Sequence, residues 1–322
     1  MRVLLLGATG LLGHNVLLRL MDDGHRVVAL VRSADRLLQK ENGLETVTGS
    51  LLDYGTLKEA AKGCDAIVNC AGTTDMSLRK YEDYLPVNRD LCGMLVRLME
   101  EFGISILVHA STVNTIGYGS EGQWANESAP MQVPFKGSFY ADSKLEGEEI
   151  VLSAATEGRH VIVVNPGYML GPYDFKPSSG RMLLAANKRR VMLAPKAGKA
   201  FVHVDDVARA MVTALTGGVN GSRYIIVNRE GMLTIRQLYE RQAQVCGYRQ
   251  KVLACPNSIL RAAGVMGDML RRMGVRTQLS SRNIRQLLVR EYYDNNHALR
   301  DLCLKQTPIE KAIKDFYEYR KM

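Results

Sequence analysis

Tyr140-Ala-Asp-Ser-Lys144 opens a helical pattern, so the phenol and the ammonium, four residues apart, stand on one face of a helix. A free tyrosine titrates at about 10 and is a poor proton donor or acceptor at neutral pH. A cation beside it favours the phenolate and brings that pKa toward the working range, as a general acid or base requires. The pair points to proton transfer at an oxygen. Tyr-x-x-x-Lys also arises by chance on helices, so its weight comes from its surroundings. Upstream, the apolar run ending at His109-Ala110 leads into Ser111-Thr112. Either hydroxyl could bond a substrate carbonyl and hold it against the tyrosine, and either could instead cap its own strand end.

A second chemistry sits at the N-terminus, where a short apolar strand runs into Gly7-Ala8-Thr9-Gly10-Leu11-Leu12-Gly13 and a helical pattern follows at once. Glycine serves a sharp turn, a close backbone approach to a pyrophosphate, and the packing of helix on strand. The helix N-terminus adds free N–H groups and partial positive charge. At a first strand-to-helix turn these features mark a dinucleotide site, although the spacing is G-x-x-G-x-x-G rather than G-x-G-x-x-G. The end of the second strand selects the cofactor: a carboxylate there bonds a ribose 2′-hydroxyl, whereas an arginine accommodates a 2′-phosphate. Val31-Arg32-Ser33 with Arg36 following, and no carboxylate before Asp35, favours NADP, with NAD possible. The oxidised nicotinamide's charge would then join Lys144 in favouring the Tyr140 phenolate.

These groups need a scaffold, and the apolar pattern describes one. Val3–Leu6, Arg26–Val31, Glu45–Thr48, Ala66–Cys70, Ser105–His109 and Val161–Asn165 read as strands with little polar alternation, as in parallel strands buried on both faces. Helical stretches at Leu11–Asp22, Thr56–Lys62, Tyr84–Phe102 and Phe139–Thr156 fall between them. The succession predicts an α/β, doubly wound parallel sheet of the Rossmann kind, with Tyr224–Asn228 joining its edge. After Pro166 the pattern changes. Residues 171–200 read as loop-rich and basic, and only helices are expected from Thr234 onward: Thr234–Cys246, Ser258–Met273, Ser281–Arg290 and Pro308–Arg320. Asn257 or Ser258 is the expected N-cap of the second. The expected organisation is a dinucleotide-binding domain over 1–165, to which 201–230 returns. A smaller, mostly helical substrate-binding lobe covers 166–200 and 231–322.

An apolar fraction of 46% and a charged fraction of 23% exclude a disordered or collagenous chain. No uninterrupted apolar stretch reaches membrane-spanning length. The glycines in the first apolar run favour a strand and turn over a secretory leader, so a cytoplasmic protein is expected. The six cysteines show no C-x-x-C spacing and no neighbouring His pair, so no metal site or disulfide is expected. Residues 1–150 hold 14 basic and 20 acidic groups, whereas 151–322 hold 28 and 13. That asymmetry suits an anionic ligand, an acidic partner or a membrane surface, or is a solvated basic face. No aromatic–basic interleaving accompanies it, so nucleic acid is not expected as a partner.

GATGLLG at 7–13, Cys70-Ala71-Gly72, HASTVNTIG at 109–117, YADSK at 140–144, NPGYMLGP at 165–172 and FVHVDDVA at 201–208 occur in order over nearly the whole chain. In these motifs the chain resembles the extended short-chain dehydrogenase/reductases, within them the dihydroflavonol 4-reductase-like members of the NAD(P)-dependent epimerase/dehydratase family. The resemblance implies that Gly7, Thr9, Gly10, Leu11 and Leu12 line the pyrophosphate, and that Ser50 and Leu51 lie near the adenine. It places Ala71, Gly72 and Thr73 at the nicotinamide-side ribose, and Pro166, Gly167 and Met169 near the nicotinamide. It selects Thr112 as the catalytic hydroxyl, Tyr140 as general acid or base, and Lys144 as both catalytic and ribose-binding. It also implies a possible homodimer through the helices at Tyr84–Phe102 and Phe139–Thr156. Ser50 departs from the family, replacing an aspartate, while Leu91 and Cys92 in place of Gly-Thr after Asn88, and Asn165 in place of an arginine, depart from its nucleotide-sugar members.

The expected function is NADP-dependent reduction of a small-molecule aldehyde or ketone. The alternatives are a nucleotide-sugar epimerase or dehydratase and a non-catalytic dinucleotide-binding scaffold, the latter disfavoured by an intact Thr112, Tyr140 and Lys144. His203, Asp205 and Asp206 are read as structural, Asp205 as a helix N-cap, and His14 as a packing or capping residue. Trp124 and Tyr118 lie in a long stretch that forms a pocket wall or a surface anchor. Ile259, Leu260, Val265, Met266, Met269, Leu270 and Met273 form an apolar face with Arg261, Arg271 and Arg272 nearby. It is expected to cover a hydrophobic pocket, with a membrane surface as the lesser reading.

Overall fold

The computed structural model describes residues 1–37, 43–177 and 179–320. Strands β1 (Arg2–Leu6), β2 (Arg26–Val31), β3 (Leu44–Thr48), β4 (Ala66–Asn69), β5 (Ile106–Ala110) and β6 (His160–Pro166) alternate with helices α1 (Leu11–Asp22), α2 (Tyr54–Ala61), α3 (Leu91–Phe102) and α4 (Phe139–Ser153). Next come β7 (Tyr168–Leu170), α5 (Arg181–Ala186), β8 (Val191–Pro195), β9 (Gly198–His203) and α6 (Val204–Thr213). β10 (Ser222–Ile226) then returns to the main sheet beside β6. The chain continues through β11 (Met232–Thr234), α7 (Ile235–Val245), β12 (Lys251–Cys255), α8 (Asn257–Arg272), α9 (Ser281–Leu287), α10 (Asn296–Asp301) and α11 (Ile309–Glu318).

Seven parallel strands form the main sheet in the order β10-β6-β5-β4-β1-β2-β3, the doubly wound arrangement that the sequence predicts. Successive residues of β1 feed opposite layers. Val3 and Leu5 pack with Leu17 of α1 and Met211 of α6, while Leu4 and Leu6 pack with Leu57 of α2 and Leu95 of α3. With both faces dry, alternation has no polar side to mark, hence the continuous apolar runs. The strand order reverses between β1 and β4, which leaves a crevice above their C-terminal ends.

Several expectations need correction. The helix predicted from Tyr84 becomes α-helical only at Leu91, after a wider turn with i→i+5 bonding over Pro86–Asp90. Pro86 lacks an N–H and so cannot sit inside a regular helix. The stretch 171–200 contains α5, β8 and the start of β9 rather than loop alone. The helix-only reading after Thr234 fails at β12, which pairs in parallel with β8 from Lys251↔Val191 to Cys255↔Pro195. Only Val252 and Cys255 of that strand are buried, so it lacks the apolar density that marks the others. Helix α10 was not expected. Pro256, not Asn257 or Ser258, holds the cap position of α8. Among the described residues no helix is long and apolar enough to cross a membrane.

Candidate active site

Parallel strands deliver their C-terminal ends to one edge, and the predicted site residues emerge there from β1 through β6. At the β1–α1 turn, Gly7 adopts φ +81°, and a Cβ on it would stand 2.7 Å from the Cys70 carbonyl carbon. A Cβ on Gly13 would meet the Gly7 oxygen at 2.1 Å. Only glycine permits this closeness, whatever the turn binds. Gly10 caps α1 without a side chain, and the first turn of α1 carries no acidic residue. The first N–H groups of α1 therefore open toward the crevice with no internal partner. This cradle fits a pyrophosphate. Thr9 is exposed, Leu11 half-buried and Leu12 buried in the core, so Leu12 has only its backbone N–H to offer.

Arg32, just past β2, is exposed and has no hydrogen-bond or ion-pair partner among the described residues, whereas the side chain of Arg36 lies outside them. Ser50, after β3, is exposed and accepts the Leu52 N–H at 3.2 Å, next to half-buried Leu51. After β4, Ala71 donates its N–H to Asn69 Oδ1 at 3.0 Å. The Thr73 N–H goes to Asn88 Oδ1 at 2.8 Å, and Asn88 Nδ2 bonds Ser143 Oγ of α4 at 3.0 Å. Asn88, carried by the wide turn, thus pins the strand-end loop to the helix bearing Tyr140. Gly167, past Pro166, lies against β9, where a Cβ would meet the Ala200 oxygen at 2.3 Å, and Met169 is half-buried in β7.

Thr112, Tyr140 and Lys144 converge at the end of β5. Burial raises the Tyr140 phenol above its ordinary value, and a hydrogen bond with the Thr112 hydroxyl offsets part of that rise. The sequence predicts instead that Lys144 lowers this pKa. Lys144 Nζ donates to the Ala110 carbonyl at 2.7 Å, and desolvation of the phenol prevails. A protonated phenol is the form that can deliver a proton. His109 Nε2 lies 3.3 Å from Nζ, and Asn69 Nδ2 lies 3.1 Å from Nδ1. Burial, then the Lys144 charge, hold His109 well below its ordinary value, and burial lowers Lys144 too. Ser111 Oγ, the other candidate hydroxyl, is buried with no hydrogen-bond partner among the described residues.

A network beneath Thr112 was missed from sequence. The Thr112 carbonyl accepts from Asn165 Nδ2 at 3.1 Å, and the Thr115 hydroxyl lies 2.8 Å from it. Glu148, fully buried one turn beyond Lys144, has Oε2 at 2.9 Å from Asn165 Nδ2 and 3.0 Å from Thr115 Oγ1. Its Oε1 takes Arg223 Nη1 of β10 at 3.0 Å. In the sequence Asn165 stands out only as a departure from the family pattern. The available signal was an asparagine at the end of β4 and another just before Pro166 in β6.

Other residues take structural roles. His203, not Asp205, caps α6: its Nδ1 accepts the Asp205 N–H at 3.0 Å while Nε2 meets Asp315 at 3.0 Å. Asp205 instead bridges Arg19 of α1 and Arg209. His14 packs edge-on against Tyr173, and burial drives its pKa down to about 4. Trp124 is exposed beside Arg229. The Tyr118 hydroxyl donates to the Val133 carbonyl, and its ring packs on Phe135.

A glycine cradle at the first crossover of a doubly wound sheet, with Tyr and Lys one helical turn apart by the fifth strand, defines a dinucleotide-type oxidoreductase fold. Residues 3–228 match the model of the NAD dependent epimerase/dehydratase family, and the chain belongs to that family of enzymes. It is 27% identical to a candidate dihydroflavonol 4-reductase of Synechocystis sp. over 96% of this chain and 91% of the other. It is also 27% identical to Sterol demethylase protein B of Methylococcus capsulatus, over 98% and 97%. The UDP-glucose 4-epimerase of Thermus thermophilus, solved with NAD, superposes with a TM-score of 0.77 at 19% identity, covering 100% of this chain and 99% of that one.

Proposed function

We propose that this chain is an NADP-dependent reductase of an aldehyde or ketone. The convergence of Thr112, Tyr140 and Lys144 beside the glycine cradle carries the reading. When bound, the reduced nicotinamide supplies a hydride. Tyr140, kept protonated by burial, gives its phenol proton to the carbonyl oxygen, and the Thr112 hydroxyl bonds that oxygen and orients it. Lys144, anchored on Ala110, replaces positive charge beside the phenol as the proton leaves and holds the nicotinamide ribose. Gly7, Thr9, Gly10 and the N–H groups of Leu11 and Leu12 would hold the pyrophosphate, with Ser50, Leu51, Ala71, Gly72 and Thr73 along the rest of the cofactor. Pro166, Gly167 and Met169 would flank the ring. Arg32, exposed and unpaired among the described residues, supports NADP, with Arg36 as its second cation. Residues 1–165 with 201–230 would serve as the dinucleotide-binding domain, and 166–200 with 231–322 as the substrate lobe.

The reading is tested by titrating the protein with NADPH and NADH, then following nicotinamide absorbance against a carbonyl panel. Preference for NADPH, net oxidation by a carbonyl, and loss of turnover by about 10²–10⁴ in Tyr140→Phe are expected. Tight cofactor retention without net turnover would select an epimerase or dehydratase instead.

A further inference from the structure

Helix α8 turns its small residues inward and its large apolar ones outward. Its buried residues are Gly264 and Gly267. A Cβ at 267 would stand 2.2 Å from the Leu279 carbonyl oxygen, and one at 264 would stand 3.0 Å from Ser281 Cα. Glycine thus seats α8 directly on the segment leading into α9. Ile259, Met266, Met269 and Met273 point the other way and are 59%, 61%, 59% and 78% exposed. With Val265 they fall within one sector of roughly 120°. Water-facing helices of a folded domain put such a stripe on the core. The expected pocket cover is therefore absent from this face. β12 runs straight into α8 through Pro256, and its Leu253, paired with Leu193 of β8, is exposed as well.

The charge along one edge of the stripe is basic. Arg261 and Arg272 lie there, and neither they nor Arg249 and Lys251, in the groove at the start of β12, have a carboxylate partner among the described residues. Asp268, the one carboxylate on α8, accepts the Ser281 N–H at 3.2 Å. An apolar stripe edged by unpaired cations complements a surface with phosphates outside and hydrocarbon beneath. We propose that this face docks on an anionic phospholipid bilayer, with α8 lying in the headgroup plane.

The opposite side of α8, with α9, packs toward the loop after β4 and the helix of Tyr140. Arg271 donates to the Leu78 carbonyl at 2.6 Å and Asn283 to the Met76 carbonyl at 3.1 Å, both in the loop after β4. Arg282 of α9 lies 3.8 Å over the ring of Phe139, the neighbour of Tyr140. The docking does not rest on the reductase reading.

The full chain is sedimented with vesicles of phosphatidylcholine alone and of phosphatidylcholine mixed with phosphatidylglycerol. Binding to the anionic vesicles only, weakened between about 0.1 M and about 0.5 M salt, is expected. Met266→Asp/Met269→Asp and Arg261→Glu/Arg272→Glu should each lower the partition coefficient about tenfold or more, with NADPH titration unchanged. No sedimentation with either vesicle would overturn the proposal, as would variants that bind like the parent. Loss of self-association in light scattering, with vesicle binding intact, would make the face a contact between copies and overturn it too. Cofactor titration and carbonyl turnover without vesicles report separately on the reductase reading.

Discussion

Glu148→Ala should cost stability and turnover together, and the geometry sets the scale. The carboxylate is fully buried, and its two oxygens face Arg223, Asn165 and the Thr115 hydroxyl. Truncation strands the Asn165 amide and a partly buried guanidinium, and removing one partner of such a pair costs about 3–5 kcal/mol. Unfolding entropy near 2.1 cal/mol/K per residue gives roughly 0.7 kcal/mol/K for a chain of 322 residues. Tm should therefore fall by about 4–7 °C. The same truncation loosens both groups at the Thr112 carbonyl, so its hydroxyl drifts and kcat should fall about tenfold while the cofactor Kd holds. Differential scanning fluorimetry reads the first effect and steady-state kinetics the second. Glu100→Ala is the control, because its carboxylate is 57% exposed against Arg159 and should move Tm by less than about 1 °C. Glu148→Gln should recover only part, since its amide meets groups that already donate. A Tm change in Glu148→Ala no larger than the control's would refute the reasoning. So would an unaltered kcat beside a lowered Tm, for the link to Thr112.

Three further outcomes follow from the site. Thr112→Val removes the group that offsets the burial of Tyr140, so the phenol pKa rises and the alkaline limb of the reductive kcat/KM profile should shift to higher pH. A profile that stays in place would separate the two residues. Arg32→Asp should weaken NADPH binding at least tenfold and favour NADH, measured by fluorescence titration. His14 has a folded pKa of about 4 against an ordinary 6.5. Below pH ~6.5 the unfolded chain takes up a proton that the folded one refuses, so stability is full above that pH and falls by about 3 kcal/mol as pH approaches 4. His14→Asn should flatten that decline in urea titrations, and an equal slope in both proteins would count against it.

Local pattern was enough for the main sheet because strands buried on both faces must be continuously apolar, and because the glycine turn and the Tyr140–Lys144 spacing are each made by one stretch of backbone. Adjacent residues carried that information, so β1, β2, α1 and the cradle were legible without a third dimension. β12 was not, because a half-exposed strand owes its existence to β8, some 60 residues earlier. The network of Glu148, Asn165, Thr115 and Arg223 joins α4, β6, the turn after β5 and β10, and no spacing rule connects residues that meet only when the sheet closes. The same holds for the pKa of Tyr140, whose sign depends on how much protein covers it. α8 is the plainest case. Its amphipathic pattern was visible in the sequence, but only the packing of Gly264 and Gly267 on the chain before α9 decided which face turns outward.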